Sequence, residues 1–278
     1  MGKKTEDKRY RPIGVFDSGL GGLTVVAALE RILPNEDIVY LGDTARVPYG
    51  DKSPETVARF GLENARTLLR YNVKLIVAAC NTVSSTALPH IRSELRKDSI
   101  DIPLLGVVEA GIEALLSIAP QPRSVAVIGT RATIASGAYE RGIRGKASGM
   151  EITSIPCPIL APIVEDGLHD HEIAVAALKH YLKPLIASPP DALLLGCTHY
   201  PLLVESIEKT IPRSVEIVDS ASAMAAATTR TLEKHALAKP ADAAEGKKTF
   251  LSTDSPELFA ERAGRFLGTG SIPDATYP

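Results

Sequence analysis

Two short apolar runs, each stopped by a cysteine, limit what this chain can fold into more than any other feature. Leu193-Leu194-Leu195-Gly196-Cys197-Thr198-His199-Tyr200-Pro201 and Lys74-Leu75-Ile76-Val77-Ala78-Ala79-Cys80-Asn81-Thr82 share one construction: an apolar run, a small residue, a cysteine, then two polar residues. Runs of this length and character read as strands buried on both faces, the kind found in parallel sheets. The cysteines then sit at the carboxyl ends of their strands, where open α/β sheets bind ligands. Two thiols are therefore expected at two equivalent, ligand-facing positions.

The rest of the chain alternates in the same way. Ile13 to Phe16 reads as a first strand, and Asp17-Ser18-Gly19-Leu20-Gly21-Gly22 as a tight turn into a helix that stops before Pro34. Ile38 to Leu41, Pro103 to Val107 and Val125 to Thr130 read as further strands, with helices expected over about 54–71 and 84–96. From Ser124 the pattern repeats: four strands match earlier ones at offsets of 112 to 117 positions, the cysteine strands among them. The expectation is an α/β protein of two pseudo-symmetric domains, each a mostly parallel sheet flanked by helices, with the active site in the cleft between them. Residues 1–11 are expected to be a disordered tail, 12–105 with 216–278 one domain, and 106–215 the other. The proline-rich stretch 155–167 is expected to be a ligand-lining loop, Asp170 to cap a helix over 172–186, and 239–248 to be a flexible connection leading to a last strand and helix that pack on the first domain.

Charge excludes some functions. Thirty-one Lys and Arg against 33 Asp and Glu, with no basic block past the first dozen residues, argue against nucleic acid as the partner. No apolar run approaches the roughly 18 residues of a membrane helix, and the amino terminus lacks both a secretory h-region and, with Glu6 where Ser or Thr is needed, a myristoylation signal. Three cysteines cannot complete a disulfide framework. A cytoplasmic chain with free thiols is expected. The glycine turn matches neither a dinucleotide fingerprint nor a P-loop.

Two thiols on opposite sides of one carbon have a specific use. One removes a proton and the other delivers one to the far face, inverting the centre. Donors for the carbanion's neighbouring carboxylate are available in Ser18, Asn81, Thr82, Thr198 and His199. His199 is placed to exchange protons with Cys197, and when charged favours a thiolate. Asp17 can serve Cys80 only as a proton acceptor, since its charge raises a neighbouring thiol pKa. Glu165 is a further candidate on the Cys197 side.

The stretches 16–24, 41–50 (Leu41-Gly42-Asp43-Thr44-Ala45-Arg46-Val47-Pro48-Tyr49-Gly50), 79–82 and 196–202 resemble, in order, the motifs of glutamate racemases in the cofactor-independent aspartate/glutamate racemase superfamily. The resemblance runs from Ile13 to about Asp219. It implies glutamate as the substrate, supply of D-glutamate for peptidoglycan, and neither pyridoxal phosphate nor a metal; the family commonly forms dimers. It also implies that Cys80, assisted by Asp17, acts on D-glutamate, and Cys197, assisted by His199, on L-glutamate. Asp17, Ser18, Tyr49, Gly50, Asn81, Thr82, Thr130, Thr198 and His199 would hold the substrate. Asp43 is open between a contact with the substrate's amino group and a brace for the following loop. Val83 stands where a small residue is expected.

Other readings remain beside this one. Cys157, between two prolines, reads as an inert core thiol, and His169 with His171 lacks metal-ligand spacing. A hydrolase using Cys197 as nucleophile and His199 as base would leave Cys80 without a task, and an amino-acid-binding protein would need neither thiol. A racemase for aspartate or hydantoin is the nearest rival within the superfamily.

Overall fold

The computed structural model describes residues 7–268 and 274–278. Along the chain the elements are β1 (Ile13–Asp17), α1 (Leu23–Ile32), β2 (Ile38–Gly42), α2 (Pro54–Leu69), β3 (Leu75–Ala78), α3 (Asn81–Thr86), α4 (Leu88–Lys97), β4 (Leu104–Gly106) and α5 (Val107–Leu116). The pattern then restarts with β5 (Ser124–Gly129), α6 (Arg131–Ala135), α7 (Ala138–Lys146), β6 (Glu151–Pro156), α8 (Leu160–Glu165), α9 (Glu172–Tyr181), α10 (Lys183–Ala187), β7 (Ala192–Gly196), α11 (Val204–Glu208) and β8 (Glu216–Asp219). It closes with α12 (Ser220–Lys234), β9 (Lys248–Ser252), α13 (Pro256–Leu267) and β10 (Ala275–Thr276).

Two sheets result, and every strand pairing in them is parallel. One runs β10-β9-β2-β1-β3-β4 and the other β6-β5-β7-β8. The order β2-β1-β3-β4 is thus repeated as β6-β5-β7-β8, which is the correspondence that the sequence offsets suggest. Helical crossovers cover both faces of such sheets, so their strands read as unbroken apolar runs. β1, β2, β3 and β7 are buried along their whole length. β6, at a sheet edge, alternates between exposed and half-buried residues.

One apolar core joins the halves. It runs from Val15 of β1 and Leu23 of α1 through Met224 of α12 to Leu193 and Leu195 of β7. α12 packs on both α1 and α5, and its alanines allow that close approach. β9, the strand expected near 249–252, extends the first sheet alongside β2, and the unexpected β10 pairs with β9 at the edge.

Several expectations need adjustment. β8 pairs with β7, so residues 216–219 belong to the second sheet rather than to the first unit. Within the proposed tail, residues 1–6 lie outside the described residues, but Lys8–Tyr10 form a 3-10 turn capped by Asp7, and Lys74 Nζ donates 2.6 Å to the Arg9 carbonyl. The 239–248 connection is tied down: the Lys239 N-H donates 2.8 Å to Glu36 Oε1, and the Gly246 N-H 2.9 Å to the Pro34 carbonyl. The helix expected over 84–96 is two helices, α3 and α4, because Pro89 has no N-H for the turn before it. Within 155–167 the chain forms the helix α8, with Pro162 in the first turn, where its missing N-H costs nothing. His171 rather than Asp170 caps α9, accepting the Ile173 N-H at 3.3 Å, and α9 ends at Tyr181 before α10 begins. Val83 packs over Gly61 of α2, where an added Cβ would lie 3.1 Å from it.

Candidate active site

The tips of β1, β3, β5 and β7 converge on a cavity of about 230 Å³ between the two halves. Ser18, Tyr49, Gly50, Cys80, Asn81, Thr82, Thr130, Glu165, Cys197, Thr198 and His199 line it, as do Val47, Pro48, Asp51, Arg131, Pro158, Ala161 and Pro162. The two thiols enter from equivalent positions, Cys80 just past β3 and Cys197 just past β7, each 5% exposed. They lie close enough for the charge of Cys197 to raise the pKa of Cys80.

On the Cys80 side, Sγ donates to Ser18 Oγ at 3.6 Å. Burial, then the negative charge of Asp17, pushes this thiol up to about 12, against weaker lowering by the Val83 N-H and Ser18. Asp17 is itself fully buried behind the cavity wall, and burial raises its carboxyl above the usual range despite the charge of His199 and the N-H groups of Gly22 and Gly19. Its Oδ2 accepts the Gly19 N-H at 3.1 Å, while Oδ1 is buried without a partner.

The Cys197 side is built differently. Sγ lies 3.6 Å from His199 Nδ1, and His199 Nε2 lies 2.9 Å from Glu165 Oε1. Burial alone would lower the imidazole's pKa, but hydrogen bonds to Cys197 and Glu165, and then their charges, raise it to about 10. Glu165 is held below the usual carboxyl range: burial opposes this, but the hydrogen bond and charge of His199, and then Arg262, prevail.

Between the thiols the floor is polar. The Tyr139 hydroxyl donates 2.6 Å to Asn81 Oδ1, turning the amide so that Nδ2 is buried without a partner. Thr82 and Thr130 hydroxyls meet at 3.0 Å across the two halves, and Thr130 Oγ1 also accepts the Thr133 N-H at 3.2 Å. The Thr24 hydroxyl donates 3.0 Å to the Thr198 carbonyl, a third bond across the halves.

The glycine turn has a clear purpose. A Cβ on Gly21 would fall 2.3 Å from Thr198 Oγ1 and 2.6 Å from two ring atoms of His199, and one on Gly22 would fall 2.5 Å from Asp17 Cβ. Close approach, and not a left-handed turn, requires glycine there. Asp43 is absent from the cavity wall. Its carboxylate takes Arg46 Nε at 2.7 Å, Thr253 Oγ1 at 3.0 Å and the Tyr49 hydroxyl, so it braces the loop that presents Tyr49 and Gly50. Cys157 is a core residue, pushed up to about 12 by burial, and its carbonyl accepts the Tyr200 hydroxyl at 2.8 Å. Among the described residues no three His, Cys, Asp or Glu side chains group to hold a metal ion.

Sequence reasoning missed Tyr139, Asp51 and Arg131. Arg131 directly follows Thr130 and pairs with Asp51 at 3.3 Å across the cavity mouth, a position that the repeat with Ser18 made readable. Nothing local marks Tyr139, 58 residues from the amide it orients.

A family model described as Asp/Glu/Hydantoin racemase matches residues 13–228. The glutamate racemase of Geobacter metallireducens is 42% identical over 265 residues, covering 95% of each chain. Among solved structures, the glutamate racemase of Francisella tularensis in complex with D-glutamate superposes with a TM-score of 0.86 at 36% identity, over 97% of this chain and 98% of that one. A glutamate racemase isoform from Bacillus anthracis gives 0.89 at 35% identity, over 97% and 98%. Among the described residues no helix is long and apolar enough to cross a membrane.

Proposed function

The chain belongs to the Asp/Glu/Hydantoin racemase family, and from that membership and its paired thiols we propose that it interconverts L- and D-glutamate by proton transfer between Cys197 and Cys80. The observation that carries the reading is the pair itself: two cysteines at equivalent strand tips of the two sheets, facing one cavity.

In the L-to-D direction Cys197, as thiolate, removes the α-proton of L-glutamate, and Cys80, held as a thiol by burial and Asp17, delivers a proton to the opposite face. The protons are then redistributed. His199, steadied as imidazolium by Glu165, holds the proton that Cys197 gave up to become a thiolate. After the transfer Cys197 carries the α-proton as a thiol, His199 releases its own proton to solvent, and Cys80 regains one from solvent. In reverse, Cys80 must first lose its proton, and Asp17, whose raised pKa makes it a better proton acceptor than an exposed carboxylate, takes it. Asn81 Nδ2 and the hydroxyls of Ser18, Thr82, Thr130 and Thr198 bind the carboxylates and stabilise the charge that develops beside the carbanion.

The Cys197–His199–Glu165 chain would also suit thiol hydrolysis, but that chemistry leaves Cys80 without a task. Aspartate is disfavoured as substrate by the closeness of the glutamate racemases. The proposal includes a cytoplasmic site of action, as the free thiols suggest, a homodimer, as the family resemblance implies, and supply of D-glutamate to the cell wall. The test is α-proton exchange in deuterated water, followed by NMR alongside optical rotation, with L-glutamate and with L-aspartate and no added pyridoxal phosphate. Exchange with racemisation of glutamate is expected. Folded, reduced protein that does neither would sink the reading.

A further inference from the structure

α13 lies outside the stretch matched by the family model, yet it reaches the Cys197 side at three points. Arg265 Nη1 donates 2.8 Å to the Glu165 carbonyl. The Phe266 ring stands edge-on to the His199 imidazole, with centroids 5.6 Å apart. Arg262 and Glu165 line a second cavity of about 170 Å³, which adjoins the first because Val47 and Glu165 line both. Residues three and four apart share a helix face, so 262, 265 and 266 present one surface to the site. The chain after α8 makes room for it: Gly167 has φ +78°, and a Cβ there would lie 2.6 Å from the Arg265 guanidinium.

We infer that α13 is the positioning element of the Cys197-side proton relay: Arg265 and Phe266 hold Glu165 and His199 in place, and Arg262 supplies the positive charge that faces Glu165. The kinetic part of the inference rests on the racemase reading. Its electrostatic part concerns Glu165 alone.

Six groups bear on Glu165. His199 faces it from the β7 tip, Arg262 and Arg265 from α13, Asp17 and Tyr40 from the first sheet, and Asp254 from the second cavity. Arg262 joins His199 in favouring the carboxylate form. Removing its charge therefore makes Glu165 protonate at higher pH, which leaves His199 Nε2 without an anionic acceptor and moves the acid limb of racemisation upward.

The experiment is a carbon-13 NMR titration of glutamate carboxyls, with the Glu165 resonance identified by its absence in Glu165→Gln. Arg262→Gln is expected to raise the Glu165 midpoint by about half a pH unit or more, with Arg262→Lys restoring it. Arg262→Met, which keeps the aliphatic stem, carries the same expectation should the Gln variant not fold. A midpoint unmoved by loss of the charge, or moved as far by Lys as by Gln, would overturn the inference. The pH profile of kcat/KM, measured on the same proteins, is expected to follow the midpoint, whereas a merely structural arginine would lower activity evenly at all pH values. The titration needs no substrate, so a wild-type protein that failed to racemise glutamate would sink the functional reading while the titration still decided this one.

Discussion

The two sides of the cleft share a backbone and differ in how they handle a proton. Each thiol follows a buried central strand and is succeeded by two polar residues. At the tips of the neighbouring strands the symmetry stops: β1 ends in Asp17, whereas β5 ends in Gly129, whose added Cβ would lie 3.0 Å from the Gly196 carbonyl. The second half therefore cannot place a carboxylate where the first does. Its acid comes from α8, as Glu165, and acts through His199. The repeated fold supplies two equivalent positions, while the side chains give one thiol an anion for a neighbour and the other an imidazole.

Removing the thiols tests that comparison most severely. Cys80→Ala and Cys197→Ala are each expected to lose racemisation by about 10²- to 10⁴-fold. The residual chemistry should separate them, since Cys80→Ala retains Cys197 and should still exchange the α-proton of L-glutamate, and Cys197→Ala that of D-glutamate. NMR in deuterated water reads both, and exchange of the same enantiomer by both variants would break the assignment of sides. Neutralising the carboxylates sharpens it further. Asp17→Asn should let Cys80 ionise below about 12, followed by ultraviolet thiolate absorbance against an Asp17→Asn/Cys80→Ala control. Glu165→Gln should bring His199 below about 10, followed by imidazole NMR.

Gly21→Ala should cost about 1–3 kcal/mol in urea unfolding, through crowding. It should also lower activity by up to about 10²-fold, because the atoms it displaces belong to Thr198 and His199. A last expected effect is on stability against pH. The pKa of His199 is raised on folding from 6.5 to about 10, so its stabilising contribution is complete below the lower value and is lost as pH rises through the upper one. The stability gap between wild type and His199→Asn should therefore narrow from about pH 6 to about pH 10. A gap that widened would show that the imidazole is neutral in the folded protein.

The sequence made the strand tips legible because burial on both faces leaves an unbroken apolar run, and a polar residue after it has few places to point but the cleft. The repeat was legible for the same reason. Asp43 was not, because a polar residue past a strand looks the same whether it faces a cavity or turns back to Arg46, Tyr49 and Thr253. Gly21 reads as a turn residue, and its partners Thr198 and His199 lie far along the chain. The Glu165 helix was hidden by prolines, which signal a loop unless they fall in a helix's first turn. α13 was visible as a helix, but a helix pattern carries no information about which half of a molecule it will touch.

The contacts made by α13 also bear on the order in which the protein is made. β2 must wait for β9, more than 200 residues later, before its sheet is extended, and Glu165 and His199 have all been synthesised long before Arg265 and Phe266 come to rest against them. A chain still on the ribosome has both cysteines in place without the helix that backs one of them. A copy truncated before α13 would keep both thiols and lack the helix that packs against Glu165 and His199.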